Sequence, residues 1–439
     1  MRSLLAIALA FLLAACGSSA TPAPSQAPSI SASPAPSAPS AEPSPASSLP
    51  PASIAPASPP TSTLAPSPSA APIGDWVGLH WAIPALAGLN ETFADVLARP
   101  DGHYLAVGQF QNPAGGLQAA AWMTSDWQTW RRTWLDTPAA GDSTIWYLRA
   151  IGTGLVALGS SGVQHCVPPE GEGQVCDPLP LAVWTSTDGT IWQLVRPTGL
   201  VGVTVTALVS GPAGLILAGD TGWAQPGLWT SADGRSWTRQ KLPAATFADA
   251  HFLDLAASPS GFVLSGYRGG KAPVCCISAP SLTTPAAWFS PDGQTWQAAV
   301  IAGAKPTLGS QINQTFAGLS GLVAINEQYT PDWVSADGGR HWAVFPASAD
   351  ASVIPWAADG TRIIGKSAGD NNLLNLWTSP DGLNWQALEP SGAVEQMPGW
   401  SAAGVSADLA FVYSGGLGLI GWPGSDRTPL WFAAAAVRP

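Results

Sequence analysis

One short run of residues recurs along the chain with a carboxylate at its centre. Ser-x-Asp-Gly-x-x-Trp carries Asp188, Asp233, Asp292 and Asp381, and a version one residue longer, Ser335 to Trp342, carries Asp337. A degenerate copy, Ser125 to Trp130, lacks the Gly. Carboxylates can ligate metals or trade protons, but either job needs several groups converging on one point. Spaced one per repeat, each Asp is better suited to accept hydrogen bonds from the amides of its own turn. The Gly supplies a positive φ, and the Trp folds back on its own sheet. The repeated Asp residues therefore read as structural.

Other reactive side chains form no recognisable catalytic pattern. His80, His103, His165, His251 and His341 show no metal-ligand spacing. There is no G-x-S-x-G elbow and no phosphate-binding Gly loop. No nucleotide, flavin, haem or metal cofactor is implied.

These turns need strands to hold them. Each Trp-bearing turn follows an alternating apolar strand, as in VWTSTDGTIWQLV (183–195) and LWTSADGRSWTRQ (228–240). The first Trp of each unit falls at Trp122, Trp184, Trp229, Trp288, Trp333, Trp377 and Trp431. Before each comes a hairpin pattern of two apolar runs joined by a tight turn, such as VTALVSGPAGLILAGD (205–220) and FLDLAASPSGFVLSGY (252–267). A unit of hairpin strands a and b, then Trp strands c and d, has the size of one propeller blade. The chain is thus expected to be all-β: a seven-bladed β-propeller of four-stranded antiparallel blades over residues 75–439. The seventh c strand has no d strand after it, while LHWAIP (79–84) resembles one. Trp81 is expected to supply that strand and close the ring, removing an exposed edge. The alternative is six blades with an irregular seventh segment.

The repeated turn resembles the Asp-box, or bacterial neuraminidase repeat. That resemblance implies a sialidase-like propeller with its boxes on the rim opposite the usual ligand face. It does not extend to sialidase chemistry. No Arg-Ile-Pro segment occurs, and none of the five Tyr sits in a recognisable nucleophile context.

In a repeat protein, scaffold positions recur and ligand positions vary. The residue after the Gly (or Asn326) ending each b strand is Gln109, Ser160, Asp220, Tyr267, Glu327, Lys366 or Trp422. These positions should lie near the b–c loops. Gln109, Asp220, Tyr267 with its neighbour Arg268, Glu327, Lys366 and Trp422 make a candidate ligand face with the acids, bases and aromatics a polar ligand needs. Ordinary exposed loop residues would fit the pattern too.

Two long b–c loops hold Cys166 with Cys176, and Cys275 with Cys276. Cys166–Cys176 is the simplest disulfide candidate; four Cys allow three pairings.

The N-terminus carries an address. Residues 1–15 have Arg2 followed by the apolar stretch Leu4 to Leu13, and Leu13-Ala14-Ala15-Cys16 is similar to a bacterial lipobox. The resemblance implies cleavage before Cys16, lipidation of Cys16, and an extracytoplasmic protein anchored to the cell membrane; a plain secretory signal is the alternative. After lipidated Cys16, residues up to 74 are nearly all Ser, Pro, Ala and Thr, a composition that buries no core and makes a disordered tether. With 17 basic and 28 acidic residues, net charge −11, the 439-residue chain lacks the basic surface that nucleic acid requires. The expectation is a monomeric, non-catalytic binding or scaffolding module for carbohydrate, peptide or protein. The alternative is an extracellular glycoside hydrolase using carboxylates such as Asp220 and Glu327.

Overall fold

Alternating apolar runs punctuated by Gly turns fold into strands that pair with their neighbours in sequence. The computed structural model describes residues 76–82, 91–111, 116–126, 129–135, 141–163, 166–167, 175–176, 179–222, 225–270, 282–326, 332–345, 353–368, 374–392, 407–413, 416–421 and 430–437. All belong to the compact unit Ala70–Pro439. The expected leader, Cys16, the expected tether, Cys275, Cys276, Glu327 and Trp422 lie outside the described residues.

The fold is a β-propeller with almost no helix. Blade one has strands a to d at Glu91–Ala98, Tyr104–Gln111, Leu117–Thr124 and Arg131–Trp134. Blade two uses Asp142–Ile151, Gly154–Gly162, Leu181–Ser186 and Gln193–Val195. Blade three uses Val203–Gly211, Gly214–Thr221, Gln225–Ser231 and Thr238–Arg239. Blade four uses Ala250–Ser258, Gly261–Gly269, Leu282–Ser290 and Gln297–Ala298. Blade five uses Gln314–Ala317, Leu322–Ile325, Trp333–Ser335 and His341–Val344, with Val300–Ile301 added in parallel outside strand d.

The remaining strands correct the expected blade count. Counted as hydrogen-bonded sheets, there are six blades and not seven, because the expected sixth and seventh are one eight-stranded sheet. Its first half is Ile354–Ala358, Ile363–Ala368, Leu374–Ser379 and Gln386–Gly392; its second is Ala407–Tyr413, Gly416–Gly421 and Leu430–Val437. The strand Trp76–Ala82 joins them. One edge pairs antiparallel with Leu430–Val437, setting Trp81 opposite Ala433. The other edge pairs in parallel with Gln386–Gly392, from Gly78 opposite Glu389 to Trp81 opposite Gly392. A strand offers hydrogen-bonding groups on both edges, and an unpaired edge is a liability; here both are used. The a strands contact one another in succession around the propeller, and Ala407–Tyr413 returns to Glu91–Ala98.

The core lies between sheets. Trp122, Trp184, Trp229, Trp288 and Trp333, all on c strands, are fully buried. Trp237, just before the d strand of blade three, and Trp342, on that of blade five, are buried as well. Val156 and Leu158 of blade two pack with Leu217, Trp229 and Trp237 of blade three, so each interface mixes two blades. Truncating such a Trp to Ala costs about 3–5 kcal/mol.

A second repeated device sets the a strands. Each a–b ladder except that of blade five contains one register shift: at 93/95, 145/147, 205/207, 252/254, 355/357 and 407/409. An extra residue there bends the strand and re-aims its side chains. The bulge presses the a strand onto the Gly near the end of strand b. A Cβ on Gly159 would stand 1.9 Å from the Thr144 carbonyl oxygen, and one on Gly266 would stand 2.0 Å from that of His251. Only Gly fits there. In blade five Asn326 replaces it, and the ladder stops one residue earlier, at Gln314 opposite Ile325.

Candidate functional site on the loop face

Antiparallel order places the a–b turns and Asp-box turns on one rim, and the b–c and d–a connections on the other. The box rim is built for closure. In blade three, Asp233 Oδ1 accepts hydrogen bonds from the amides of Arg235 (2.8 Å) and Ser236 (2.9 Å), and Ser231 Oγ accepts one from the Gly234 amide at 2.8 Å. Trp237 Nε1 donates to the Gly234 carbonyl at 2.9 Å. The amide bonds to the Asp and to the Ser hydroxyl recur around Asp188, Asp292, Asp337 and Asp381, and the Trp bond recurs at Trp192 and Trp342. Hydrogen bonds to the ionised form hold these carboxyls below their usual range: the Ile191 amide leads for Asp188, and the Ser236 amide for Asp233. The box Gly also seals each blade to the one before. A Cβ on Gly293 would meet Ile216 Cδ1 at 2.1 Å, and one on Gly382 would meet Val323 Cγ2 at 1.9 Å. All five box Asp residues are thus engaged within their own turns.

The opposite rim holds groups with spare capacity. Asp220 and Tyr267, the residues following Gly219 and Gly266, lie near each other across blades three and four. The bulge at Leu253 brings a third group: His251 stands opposite Tyr267 in the ladder. The two rings stack with centroids 4.6 Å apart and planes at 12°. Asp220 is half-buried. Among the described residues, no hydrogen bond or ion pair reaches its carboxylate. Burial pushes that carboxyl above its usual range, with the charge of nearby His251 opposing the rise. Burial, then the Asp220 charge, raises the Tyr267 hydroxyl. Two residues before His251, Asp249 holds a left-handed backbone at φ 51°, a strained conformation of the kind that collects at ligand sites.

A cleft of about 760 Å³ opens between blades two and three. Trp146, Leu181, Arg196, Leu200, Val201 and Thr204 are on its walls. Trp146 is the bulge residue of its a strand and remains 39% exposed; Val201, on the d–a connection, is 93% exposed. Asp220 lies on the other face of blade three's sheet: Leu215 and Leu217 face blade two, while Ile216 and Ala218, and with them Asp220, face blade four.

The other described positions do not join this surface. Arg268 is spent on the short helix Ala244–Phe247: it donates to the carbonyls of Thr246 and Ala248 and lies over the Trp288 ring at 5.2 Å. Gln109 sits on strand b of blade one, opposite Thr92 and Ala119. Lys366 is on the eight-stranded sheet with its ammonium over the Trp356 ring at 4.3 Å, and burial lowers its pKa. For Cys166 and Cys176, the backbone register sets them opposite each other in a two-stranded ladder of their own. Sequence reasoning missed His251, Trp146 and the cleft.

A third polar group links a strands near the propeller axis. Asp95 Oδ2 accepts from the Leu148 amide of the next blade at 2.9 Å and pairs with Arg149. Arg149 Nε donates to the Leu208 carbonyl at 2.8 Å, and Tyr147 Oη to the Thr206 carbonyl at 2.6 Å. These bonds fasten blade to blade. Among the described residues, no group of three or more His, Cys, Asp or Glu could hold a metal ion. None of the described helices is long and apolar enough to cross a membrane.

No known family profile and no curated protein matches the chain. Solved structures that resemble it include YCF48 from Cyanidioschyzon merolae, at 12% identity over 80% of this chain and 98% of that one, with a TM-score of 0.46. A PL25 ulvan lyase is 11% identical over 84% and 97% of the two chains, with a TM-score of 0.41. The β-propeller domain of the Trilobed protease from Pyrococcus furiosus is 12% identical over 68% and 84%, with a TM-score of 0.38. Their likeness goes no further than fold.

Proposed function

We propose that this propeller is a non-catalytic binding module whose ligand lies on the loop face of blades two and three. The observation that carries the reading is the cleft with half-exposed Trp146 and exposed Val201 on its walls. A large aromatic beside apolar walls is the usual make-up of a binding hot spot. Leu181, Leu200 and Val201 offer little to a sugar's hydroxyls and much to the side chains of a polypeptide, so a peptide or protein segment fits better than a glycan. Lipidation of Cys16 would attach the module to the bacterial surface by way of a Pro-rich tether.

A glycan and peptide array probed with the full-length protein tests the reading. Peptides should be retained, and Trp146→Ala should abolish their retention. Retention of glycans alone, with release of reducing sugar abolished by Asp220→Asn, would favour the glycoside hydrolase instead.

A further inference from the structure

Apolar residues make most of the cleft between blades two and three, and its charge is all of one sign. Among its lining residues only Arg196 is ionised at neutral pH, and none is an acid. Burial pushes the Tyr147 hydroxyl up to about 12, and that hydroxyl already donates to the Thr206 carbonyl. Arg196 is exposed, and among the described residues no hydrogen bond, ion pair or ring contact engages it. Other arginines of the propeller are engaged by the fold: Arg149 by Asp95 and the Leu208 carbonyl, Arg235 by Thr185 and Gln193, and Arg239 by the Pro226 carbonyl. Arg196 instead brings five N–H donors to the cleft, in a fork that fits a carboxylate.

The segment that carries this cation is held in place. Thr198 donates to the Arg235 carbonyl and accepts from the Trp237 amide, both at 3.0 Å. A Cβ on Gly199 would stand 2.0 Å from the Trp237 carbonyl oxygen, so the connection lies hard against blade three. The Val203 amide closes the turn on the Leu200 carbonyl at 3.3 Å. A main chain already ordered loses little entropy on binding. The register then places Arg196 relative to Trp146. The ladders of blade two run from Ile145, beside the Trp146 bulge, through Gly159 to Ala182. Val183 pairs with Val195, so Ala182 is level with Arg196. Innermost to outermost strand is three strand spacings, about 14 Å, the span of about four residues of extended chain. The cleft thus has an aromatic inner end and a cationic outer end.

We infer that the module takes an acidic peptide segment: an apolar side chain lodges against Trp146, and the carboxylate of a glutamate or aspartate about four residues along pairs with Arg196. This rests on the loop-face binding reading and adds the charge of the ligand and the spacing of its two contacts. One guanidinium suits the single charge of a carboxylate, whereas phosphate-bearing peptides are held by arginine clusters. The whole chain carries net charge −11 and repels an acidic ligand over distance. At about 0.15 M salt that field is screened beyond about 8 Å, while the contact pair is kept. The apolar walls supply affinity by burial, and Arg196 supplies selection among apolar peptides.

The test uses the full-length protein and seven-residue peptides, acetylated and amidated, with leucine second and glutamate or its uncharged isostere glutamine sixth, made in both sequence orders. Binding is read by fluorescence anisotropy at about 0.15 M salt. The wild type should bind the glutamate set about fivefold more tightly, the upper end for a pair open to solvent. Arg196→Gln should bring the two sets level. Arg196→Glu should turn the preference toward lysine in the same place, a gain that damage to the fold cannot produce. A glutamine peptide with a free C-terminal carboxylate should bind no better than its amide. Equal binding of the two sets by the wild type, a preference that survives Arg196→Gln, or a free terminus that matches the glutamate overturns the inference and leaves the cleft reading standing. Failure of both sets to bind overturns the peptide reading itself, and the inference with it.

Discussion

Asp254, on the innermost strand of blade four, accepts a hydrogen bond at 2.7 Å from the amide of Thr315, on the innermost strand of blade five. Its other oxygen accepts from the Leu255 amide at 2.8 Å. Asp95 joins blades one and two in the same way. A carboxylate following a bulge thus caps an edge amide that no ladder partner reaches.

Burial pushes the Asp254 carboxyl up to about 6 from the usual 3.8, against the pull of the Thr315 and Leu255 amides and of Arg149. The folded protein therefore holds this proton more tightly than the unfolded chain. Its contribution favours folding most below about pH 4 and is lost as pH rises through about 6. Asp254→Asn removes this titration. Urea unfolding of both proteins should show wild type minus variant stability falling by about 3 kcal/mol between pH 4 and pH 7.5. A difference flat in pH would contradict the assignment.

The box carboxylates have the opposite sign. Burial tends to raise Asp337, but hydrogen bonds from His341, Ser335 and Arg340 prevail and bring it to about 2. Its stabilisation is full above the unfolded value near 4 and lost as pH falls through about 2. Asp233→Ala removes the acceptor for the Arg235 and Ser236 amides. It should cost about 1–2 kcal/mol, as loss of a helix N-cap does. Gly382→Ala should cost more, because it combines φ +78° with a Cβ driven against Val323. Thermal unfolding ranks the two, and the reverse order would contradict the inter-blade role of the box Gly.

The strand Trp76–Ala82 is predicted to hold the eight-stranded sheet together. Deleting it uncovers an edge of Gln386–Gly392 and of Leu430–Val437 together. The truncated protein should self-associate through those edges, which light scattering would detect. A monomeric, equally stable truncation would contradict the pairing.

Cys166 and Cys176 face each other across a ladder of only two residue pairs that joins no blade. So short a ladder is not stable by itself in water. A disulfide between them is predicted, worth about 2–3 kcal/mol by loop closure. Peptide mapping of non-reduced protein should recover the two cysteines cross-linked; recovery of both as free thiols would contradict it.

Much of this architecture is legible in the sequence, and the misses have one physical source. The boxes and Trp strands repeat with their turn residues intact, so blade after blade can be read directly. Bulges leave a weaker trace. Counting back from the Ser258–Gly261 turn with simple pairing sets Phe252 opposite Tyr267; the extra residue at Leu253 puts His251 there instead. The Gly closing each b strand was the available signal, since it marks where the bulged backbone presses in. The merged sheet had no such signal: a parallel contact between Gln386–Gly392 and a strand more than three hundred residues earlier involves no turn and no motif.

The binding reading is tested most directly by titrating one array-selected peptide into three full-length proteins: wild type, Trp146→Ala, and Ile191→Ser, which alters an exposed residue on the box rim. Trp146→Ala should weaken binding tenfold or more, by about 2 kcal/mol for a central aromatic anchor, while Ile191→Ser binds as wild type does. Unchanged affinity in Trp146→Ala, or equal loss in Ile191→Ser, would contradict a ligand site on the loop face.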